Sequence, residues 1–159
     1  MKNTKLIIAI GLIIIIIAGC SEQTNNKHEN CSPEAKISLD NFDTIPRQVV
    51  GCTGLFFETE EKFKTKEYLF IAWLGGGVIS INNKLINLEC ISSEYKSKTF
   101  GNLDHTDIYA NDCLKVIIEI KFKKTNKPRD LCRWTYGKLT IETKGGQKLT
   151  RDFVGETKC

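Results

Sequence analysis

Several residue patterns that mark known site chemistries are missing from this sequence of 159 residues. It has no Cys-x-x-Cys and no paired Cys/His spacing, which zinc and redox sites require. It has no Gly-x-Ser-x-Gly elbow for a nucleophilic serine, and Gly75-Gly76-Gly77 lacks the Gly-Lys-Ser/Thr that completes a phosphate loop. We therefore predict no metal, no cofactor and no catalytic residue.

The sequence also lacks a run of apolar residues long enough to cross a membrane, and it lacks a strong net charge. The longest run, Leu6 to Ala18, would cover about 20 Å as a helix, whereas a hydrocarbon core is about 30 Å thick. The formal charge is +4, from 23 basic and 19 acidic residues. Nucleic-acid binding needs a concentrated basic face, so we do not expect a nucleic-acid partner.

The N-terminus has the layout of a secretory signal, with Lys2 and Lys5 ahead of the apolar run. The run ends in Ile17-Ala18-Gly19-Cys20, which resembles the bacterial lipobox. The resemblance implies that residues 1–19 are removed and that Cys20 carries lipid, and more than one acyl chain gives stable attachment to a membrane. An ordinary signal peptide with an incidental cysteine is the alternative interpretation.

The predicted lipoprotein has one domain behind a tether. Residues 20–32 are the lipidated cysteine and a polar segment without apolar periodicity, which predicts a flexible tether. Residues 33–159 are long enough for a single domain with a hydrophobic core. Ser21 follows the lipidated cysteine, and the absence of aspartate there is similar to signals for the outer membrane, facing either the periplasm or the cell surface.

The remaining cysteines are even in number, which predicts three disulfides in an oxidising compartment. They are Cys31, Cys52, Cys90, Cys113, Cys132 and Cys159. Fifteen connectivities are open for six cysteines. If 114–123 and 132–143 form a hairpin, Cys113 and Cys132 lie at opposite ends of it, too far apart for a bond. A Cys52–Cys159 bond would join the first strand to the last.

The apolar pattern of the domain is that of antiparallel strands. Residues 114–122 alternate between apolar and charged side chains, which predicts a strand with one buried face. Asn82-Asn83 predicts a type I′ hairpin turn that pairs Ile79 with Ile86, and Gly145-Gly146 predicts a second hairpin, with Leu139 and Ile141 pointing inward.

These strands, with others at 55–60 and 67–74, predict an all-β fold. Seven or eight antiparallel strands at this spacing form a small barrel or sandwich, here stabilised by disulfides. Ser32-Pro33 predicts a short helix through about Leu39. Gly75-Gly76-Gly77 predicts a bend or bulge, with a flexible loop as the alternative. Trp134 and Tyr136 require a bulge at Gly137 if they share the burial of Leu139 and Ile141.

Some polar residues suggest chemistry, but each has a simpler interpretation. His105-Thr106-Asp107 would place an imidazole and a carboxylate on one face of a strand, although we favour a polar cluster in a loop. Glu58, Glu60 and Glu61 are interpreted as solvated charge rather than as glycosidase carboxylates. Lysines and one arginine suggest a basic patch or, more simply, charges that protect turns and sheet edges: Lys62, Lys64, Lys66, Lys121, Lys123, Lys124, Lys127 and Arg129.

Short segments of the domain resemble membrane-bound inhibitors of c-type lysozyme, which are lipoproteins with a small antiparallel barrel. The segments are Ile81-Asn82-Asn83-Lys84, Leu88, Ser92-Ser93 to Tyr95, and Thr143-Lys144-Gly145. The resemblance implies that Lys144 is a cation inserted into the lysozyme cleft and that Ser92 or Ser93 is its hydrogen-bonding partner. The sequence departs from the family where Leu139 replaces a tyrosine and where a glycine after the serine is absent. The chain also looks like uncharacterised envelope lipoproteins.

We therefore expect a non-catalytic binding role at the bacterial envelope. The expected partner is a protein, either a lysozyme or an envelope-targeting toxin against which the chain serves as an immunity protein. A rigid domain on a tether loses little entropy on binding, which favours inhibition without catalysis. A structural or assembly lipoprotein is the alternative and should expose an apolar patch, whereas an enzyme should show a polar constellation in a pocket.

Overall fold

The computed structural model describes residues 36–96, 104–122 and 132–158, and only the backbone of residues 132 and 133. These ranges hold nine strands and one short helix. The elements are β1 (Leu39–Asp40), β2 (Thr53–Phe57), α1 (Glu60–Thr65), β3 (Phe70–Trp73), β4 (Gly76–Ile81), β5 (Lys84–Tyr95), β6 (His105–Ala110), β7 (Leu114–Phe122), β8 (Cys132–Thr143) and β9 (Lys148–Lys158).

Eight of the strands form a closed antiparallel barrel. Hydrogen-bonded pairing runs in the order β4-β3-β2-β9-β8-β7-β6-β5, and pairing of β4 with β5 closes the ring. Strand β1 lies outside the ring and pairs with β4, where Leu39 is opposite Ile81. Closure leaves no sheet edge in the ring. The prediction of an all-β fold is confirmed. Of the two predicted architectures, barrel and sandwich, the structure is a barrel.

Both predicted hairpins are confirmed. Asn82 and Asn83 have φ angles of 50° and 60°, as a type I′ turn requires, and Ile79 lies opposite Ile86. The second hairpin joins β8 to β9 around Gly146, whose φ is 83°. Asparagine and glycine tolerate this left-handed backbone, so these two turns were readable from the sequence.

The inward faces of the strands fill the barrel with apolar side chains. On β7, Val116 and Ile118 are fully buried, and on β8 Leu139 and Ile141 are too. The predicted alternation of β7 and the inward direction of Leu139 and Ile141 are confirmed. At eight strands, a barrel interior is just wide enough for side chains to fill.

Strand β8 carries Trp134 and Tyr136 on its outer face without a bulge. Pairing between β8 and β9 is continuous along the strand, and the two side chains remain 43% and 48% exposed. They therefore do not share the burial of Leu139. Gly137 lies between the two pairs, and a Cβ there would come within 1.8 Å of the Glu119 carbonyl oxygen. Glycine is needed at position 137 because β7 passes close to the backbone there, and not because β8 bends.

A second apolar layer covers the outer face of β2, β3 and β4. Leu55, Phe57, Ile71 and Val78 are buried on that face together with Tyr68, which precedes β3. Residues from the segment before β2 and from α1 pack over them, namely Phe42, Val49 and Phe63. The rings of Phe57 and Phe63 are 5.0 Å apart. This side of the barrel is therefore buried on both faces.

The predicted helix through Leu39 is wrong over the described residues 36–39, and its earlier part lies outside them. Leu39 belongs to β1. The backbone N–H of Ile37 donates to the Gln147 side chain (3.1 Å) and that of Ser38 to the Asn82 side chain (2.8 Å). These distant partners satisfy the donors that a helix would use, and a local helix signal cannot anticipate them.

The predicted strand at 55–60 ends early, because α1 begins at Glu60. Thr59 is the N-cap, and its hydroxyl accepts a hydrogen bond from the backbone N–H of Lys62. Glu60 and Glu61 occupy the first turn, where carboxylates favour a helix. A capping residue followed by two acidic residues was a readable signal for this helix.

The glycines at 75–77 form neither a bulge nor a flexible loop. Gly75 has a φ of 87° in the tight turn between β3 and β4, and the pairing of β4 with both neighbours is regular. Gly77 lies where a Cβ would come within 2.3 Å of the Phe70 ring. The glycines therefore serve a turn and the packing of aromatic rings, and the predicted bulge is wrong.

Candidate functional site

A polar cluster lies inside one end of the barrel, on β5 and β6. The register of these strands places Ser93 opposite Asp107 and Tyr95 opposite His105. Because side chains alternate along a strand, all four point to the same face. His105 and Asp107 are each only 8% exposed. The interpretation of His105 and Asp107 as a loop cluster is wrong, because β6 holds both and the alternative placement on one strand face is correct.

Asp107 is the centre of this cluster. Its Oδ1 accepts from the Ser93 hydroxyl (2.6 Å), and its Oδ2 accepts from the Tyr109 hydroxyl (3.3 Å) and lies 3.4 Å from His105 Nε2. Burial by itself raises the pKa of Asp107, but these three neighbours together hold it below its ordinary value. Burial and the nearby carboxylate strongly raise the pKa of Tyr109, so its hydroxyl stays protonated and donating.

Aromatic rings enclose the imidazole of His105. The Tyr95 ring stacks on it at 5.0 Å between centroids, and the Phe122 ring stacks at 5.8 Å. Tyr95 itself is 60% exposed at the end of β5. The imidazole is thus fixed by stacking and by its contact with Asp107.

The order of groups in the cluster does not match a nucleophilic triad. In a triad the imidazole lies between the hydroxyl and the carboxylate, so that it can take the hydroxyl proton. Here the carboxylate of Asp107 lies between Ser93 and His105, and the Ser93 proton is directed to it. The arrangement satisfies a buried carboxylate and stabilises the junction of β5 with β6.

The six candidate disulfide cysteines have different outcomes. Cys52 and Cys113 are disulfide-bonded. Cys90 is a free thiol, so the prediction is wrong for this residue. It lies within β5, opposite Tyr109, and its backbone N–H donates to the Gly75 carbonyl. Neither of these neighbours is a cysteine. The side chains of Cys31, Cys132 and Cys159 lie outside the described residues, as do Cys20 and the tether.

The free thiol of Cys90 borders the polar cluster. Partial burial raises its pKa, and the negative charge of Asp107 raises it further. A thiol with a raised pKa has little thiolate at neutral pH and reacts slowly. The predicted separation of Cys113 and Cys132 is confirmed in the backbone, because Leu114 pairs with Thr143 and Phe122 with Thr135.

The residues carried over from the lysozyme inhibitors lie on different parts of the barrel. Ser92, Ser93 and Tyr95 belong to β5, whereas Lys144 directly follows β8. Strands β6 and β7 lie between them in the sheet. Ser93 and Tyr95 face the polar cluster, and Ser92 lies opposite Ile108 on the other face. The structure does not bring the serines and Lys144 into one contact.

Lys144 lies in a turn fixed by several hydrogen bonds. Its backbone N–H donates to the Cys113 carbonyl (3.0 Å), and the Gly146 N–H donates to the Thr143 carbonyl (2.9 Å). The Thr143 hydroxyl accepts from the Gln147 N–H (3.1 Å). The hydrogen bond from Lys144 to the Cys113 carbonyl ties this turn to the neighbouring β6–β7 turn, and Cys113 is itself disulfide-bonded.

The lysines around Lys144 are neutralised, whereas Lys144 is not. Lys148 lies 3.0 Å and Lys115 lies 3.9 Å from the carboxylate of Glu142, and Lys138 lies 2.8 Å from Asp152. Lys144 is exposed and has no ion pair among the residues that the structure describes. Its ammonium is available for a carboxylate of another molecule.

A groove of about 360 Å³ lies beside Lys144 on the outside of the barrel. The shift in register between Cys90 and Ser92 leaves Ile91 without a partner in β6. Ile91, Ile108 and Ala110 provide apolar lining, and the two turns provide the rest: Asn111, Asp112, Cys113, Leu114, Lys115, Glu142, Thr143 and Lys144. No local sequence pattern indicates this groove, because it depends on the meeting of three distant segments.

Other charged candidates are spread over the surface. Glu60 and Glu61 are exposed on α1, and Glu58 pairs with Arg151 at 3.8 Å. On α1 two glutamates precede Lys62 and Lys64, and Lys62 pairs with Glu67, so α1 carries no concentrated basic patch. Lys123, Lys124, Lys127 and Arg129 lie outside the described residues. Among described residues, no three His, Cys, Asp or Glu side chains form a metal-binding group.

No family model, no curated protein and no solved structure matches this chain. In the part of the chain that the structure describes, no helix is long and apolar enough to span a membrane. The lipobox and the likeness to lysozyme inhibitors stay predictions.

Proposed function

We propose that the chain is a lipid-anchored envelope protein whose barrel binds and inhibits a hydrolase or toxin without catalysis. The observation that carries the proposal is Lys144, a lysine without an ion pair among the described residues, on a turn fixed by hydrogen bonds. Cys20 is the proposed site of lipid attachment, and the outer membrane is the proposed location.

The rigidity of the turn supports binding. A loop that is already ordered loses little conformational entropy when it enters a cleft, so more of the interaction energy remains as affinity. The turn around Lys144 is held from both sides, by the Cys113 carbonyl and by the Thr143 hydroxyl. A lysozyme cleft holds catalytic carboxylates, which suit an inserted ammonium group.

The polar cluster supports a non-catalytic role. Asp107 separates Ser93 from His105, so the imidazole is not placed to activate the hydroxyl. The same cluster makes Ser93 a poor candidate for contact with a partner, because its hydroxyl already donates a hydrogen bond to Asp107. The proposal therefore relies on Lys144 and not on the serine of the inhibitor family.

A structural or assembly role is the second candidate, and one observation favours it. Trp134 and Tyr136 are exposed side by side on β8, and the Phe63 ring lies 4.9 Å from that of Trp134. Exposed aromatic side chains are enriched at protein interfaces. Capture of another envelope protein that is lost on Trp134→Ala but not on Lys144→Ala would favour this second role.

Titration of c-type lysozymes with the unlipidated domain tests the inhibitory role. We expect stoichiometric inhibition by the chain from residue 21, which includes the whole barrel. Lys144→Ala should weaken inhibition about thirtyfold or more, since it removes one partner of a buried charge pair. Lys138→Ala, on an exposed lysine of the same hairpin, should have no effect. Full lysozyme activity at a large molar excess of the domain would reject lysozyme as the target.

Mass spectrometry of the protein from its native host tests the anchor. We expect an N-terminus at Cys20 that carries acyl chains. An intact residue 1 without acyl groups would contradict the membrane part of the proposal and leave the lysozyme assay as a separate test.

A further inference from the structure

The groove beside Lys144 has an apolar wall that is exposed to solvent. Ile91 is the extra residue of a bulge in β5 and is 60% exposed. Bulges re-aim side chains and occur frequently next to functional sites. Across β6, Ile108 and Ala110 are half-buried and line the same groove. An exposed isoleucine next to two further apolar residues forms a surface for an apolar side chain.

The charges around the groove favour an acidic ligand. Lys115, Lys144 and Lys148 surround it or adjoin it, against the carboxylates of Asp112 and Glu142. Glu142 is shared by Lys115 and Lys148. The lining itself holds two lysines and two carboxylates, and of Lys115, Lys144 and Lys148 only Lys144 has no ion pair among the described residues. A carboxylate on the ligand would therefore pair with Lys144.

The groove is preformed, because both of its turns are held in place. The Asn111 side chain accepts hydrogen bonds from the backbone N–H groups of Cys113 (2.9 Å) and Leu114 (2.8 Å). The Lys144 N–H joins this turn to the next through the Cys113 carbonyl. Binding sites that are formed before the ligand arrives lose less entropy on binding.

We propose that this groove binds a segment of a protein partner in which an apolar side chain is followed by a carboxylate. The apolar side chain packs against Ile91, Ile108 and Ala110, and the carboxylate pairs with Lys144. The inference rests on the proposed binding function and adds the chemistry of the partner segment. It also adds Ile91 as a residue that determines specificity.

An NMR titration with two small probes tests the proposal. The protein is residues 20–159 with Cys20→Ser, which contains the whole closed barrel, labelled with ¹⁵N. The probes are acetyl-Leu-Glu-amide and acetyl-Leu-Gln-amide, which differ only in the charge. We expect the Glu probe to shift the amide signals of Ile91, Ala110, Asn111 and Lys144. The Gln probe should bind about two- to fivefold more weakly, the range for one exposed ion pair.

Matched variants assign the two halves of the ligand. Lys144→Gln should remove the difference between the probes, and Ile91→Ser should weaken both about threefold through lost apolar contact. Lys64→Gln and Leu74→Ser change an exposed lysine and an exposed aliphatic residue elsewhere and should leave both affinities unchanged. Both lie in the described surface outside the groove.

Three outcomes of the probe titration would overturn the proposal. They are the absence of groove shifts up to the solubility limit of the Glu probe, equal affinity for the two probes, and groove shifts that depend on protein concentration alone. The last result would mean that a second copy of the chain fills the groove. If the probes bind as expected but no hydrolase is inhibited, the proposed function fails while the groove stands. Inhibition that is unaffected by Ile91→Ser rejects the groove alone.

Discussion

The two sides of the barrel wall differ in how their strands are buried. Around β4, all six residues are buried, because the barrel core covers one face and the second apolar layer covers the other. Around β6 and β7, buried residues alternate with partly buried or exposed ones, and the outer face is bare. The covered side is thus committed to stability, and the bare side is free to contact other molecules.

The features that suggest binding lie on the bare side. The groove is formed by β5, β6 and the two turns at the ends of β7 and β8, and Lys144 belongs to it. On the covered side, the equivalent outer surface is occupied by Phe42, Val49 and Phe63. A substitution on an outer face should therefore lower stability strongly on the covered side and only slightly on the bare side.

The largest expected effect comes from Phe57→Ala on the covered side. Phe57 is 2% exposed and packs on the rings of Phe63 and Tyr68. Loss of a buried phenylalanine side chain should lower the free energy of unfolding by about 3–5 kcal/mol. Ile117→Ala, on the outer face of β7, is the matched change on the bare side and should cost about 1 kcal/mol. Equal losses in urea denaturation would break the comparison.

The next largest effect concerns the disulfides, one on each side. Cys52→Ser and Cys113→Ser should each lower the unfolding free energy by about 2–5 kcal/mol. The two cysteines are not bonded to each other: Thr53 lies opposite Lys158, whereas Leu114 lies opposite Thr143, beside the start of β9. The length of β9, about 33 Å, separates them.

Peptide mapping under non-reducing conditions identifies the partner of Cys52. Because Thr53 lies opposite Lys158, continuing the register by one residue predicts a bond between Cys52 and Cys159, which lies outside the described residues. A peptide that joins Cys52 to Cys31 or Cys132 would contradict this prediction. Cys90 should be found as a free thiol that is alkylated without prior reduction, and its alkylation should accelerate with rising pH, since its pKa is raised.

A smaller effect is expected from Asp107→Asn at the polar end of the bare side. Breaking the satisfied carboxylate should cost about 1–3 kcal/mol at neutral pH. The pKa of Asp107 is lowered in the folded state, so its contribution is present above pH 4, near the ordinary value of 3.8, and is lost as pH falls through the folded value.

Urea midpoints measured from pH 7 to pH 3 check this sign. The difference in stability between the original chain and Asp107→Asn should shrink as pH falls below about 4. Ser93→Ala removes one donor and keeps the carboxylate, so it should reduce the difference without abolishing it. A difference that grows toward acid would mean that the carboxylate is not stabilised in its charged form.

The smallest expected effect is on the stability of groove variants. Ile91→Ser should change the unfolding free energy by less than about 0.5 kcal/mol, because Ile91 is exposed in a bulge outside the core. Leu74→Ser, in the exposed turn between β3 and β4, should behave in the same way. A cost above 1 kcal/mol for Ile91→Ser alone would place this residue in the packing of the barrel and weaken its assignment to binding.

The strands and their main hairpins were predictable, whereas the layer that covers one side of the barrel was not. The alternation on β7 and the turn residues Asn82, Asn83 and Gly146 act over a few positions, so local sequence carries their signal. The predicted strand at 55–60 is correct for Leu55 to Phe57 and ends before α1. The helix that starts at Glu60 exists partly because Phe63 reaches back to Phe57 to complete the second layer.

The candidate site was predictable only in its residue types. His105 and Asp107 were seen as a pair, but their partners Ser93 and Tyr109 come from register and from the barrel interior. Lys144 was singled out by resemblance, whereas the groove beside it needed Ile91 from a bulge in β5. The prediction of a disulfide at Cys90 is wrong, because an even number of cysteines indicates that disulfides form but does not identify which thiols meet.

The sequence alone determined the strand class, the main hairpins and the faces of the barrel that are buried, because the period of two and the preference for positive φ are properties of neighbouring residues. It also predicts a signal and a lipid site at Cys20, both of which stay predictions. Tertiary structure decided barrel over sandwich, the second layer, the free thiol of Cys90 and the groove at Lys144. These features depend on strand register and on which distant segments meet when the ring closes. No pattern of neighbouring residues encodes contacts between segments so far apart in the sequence.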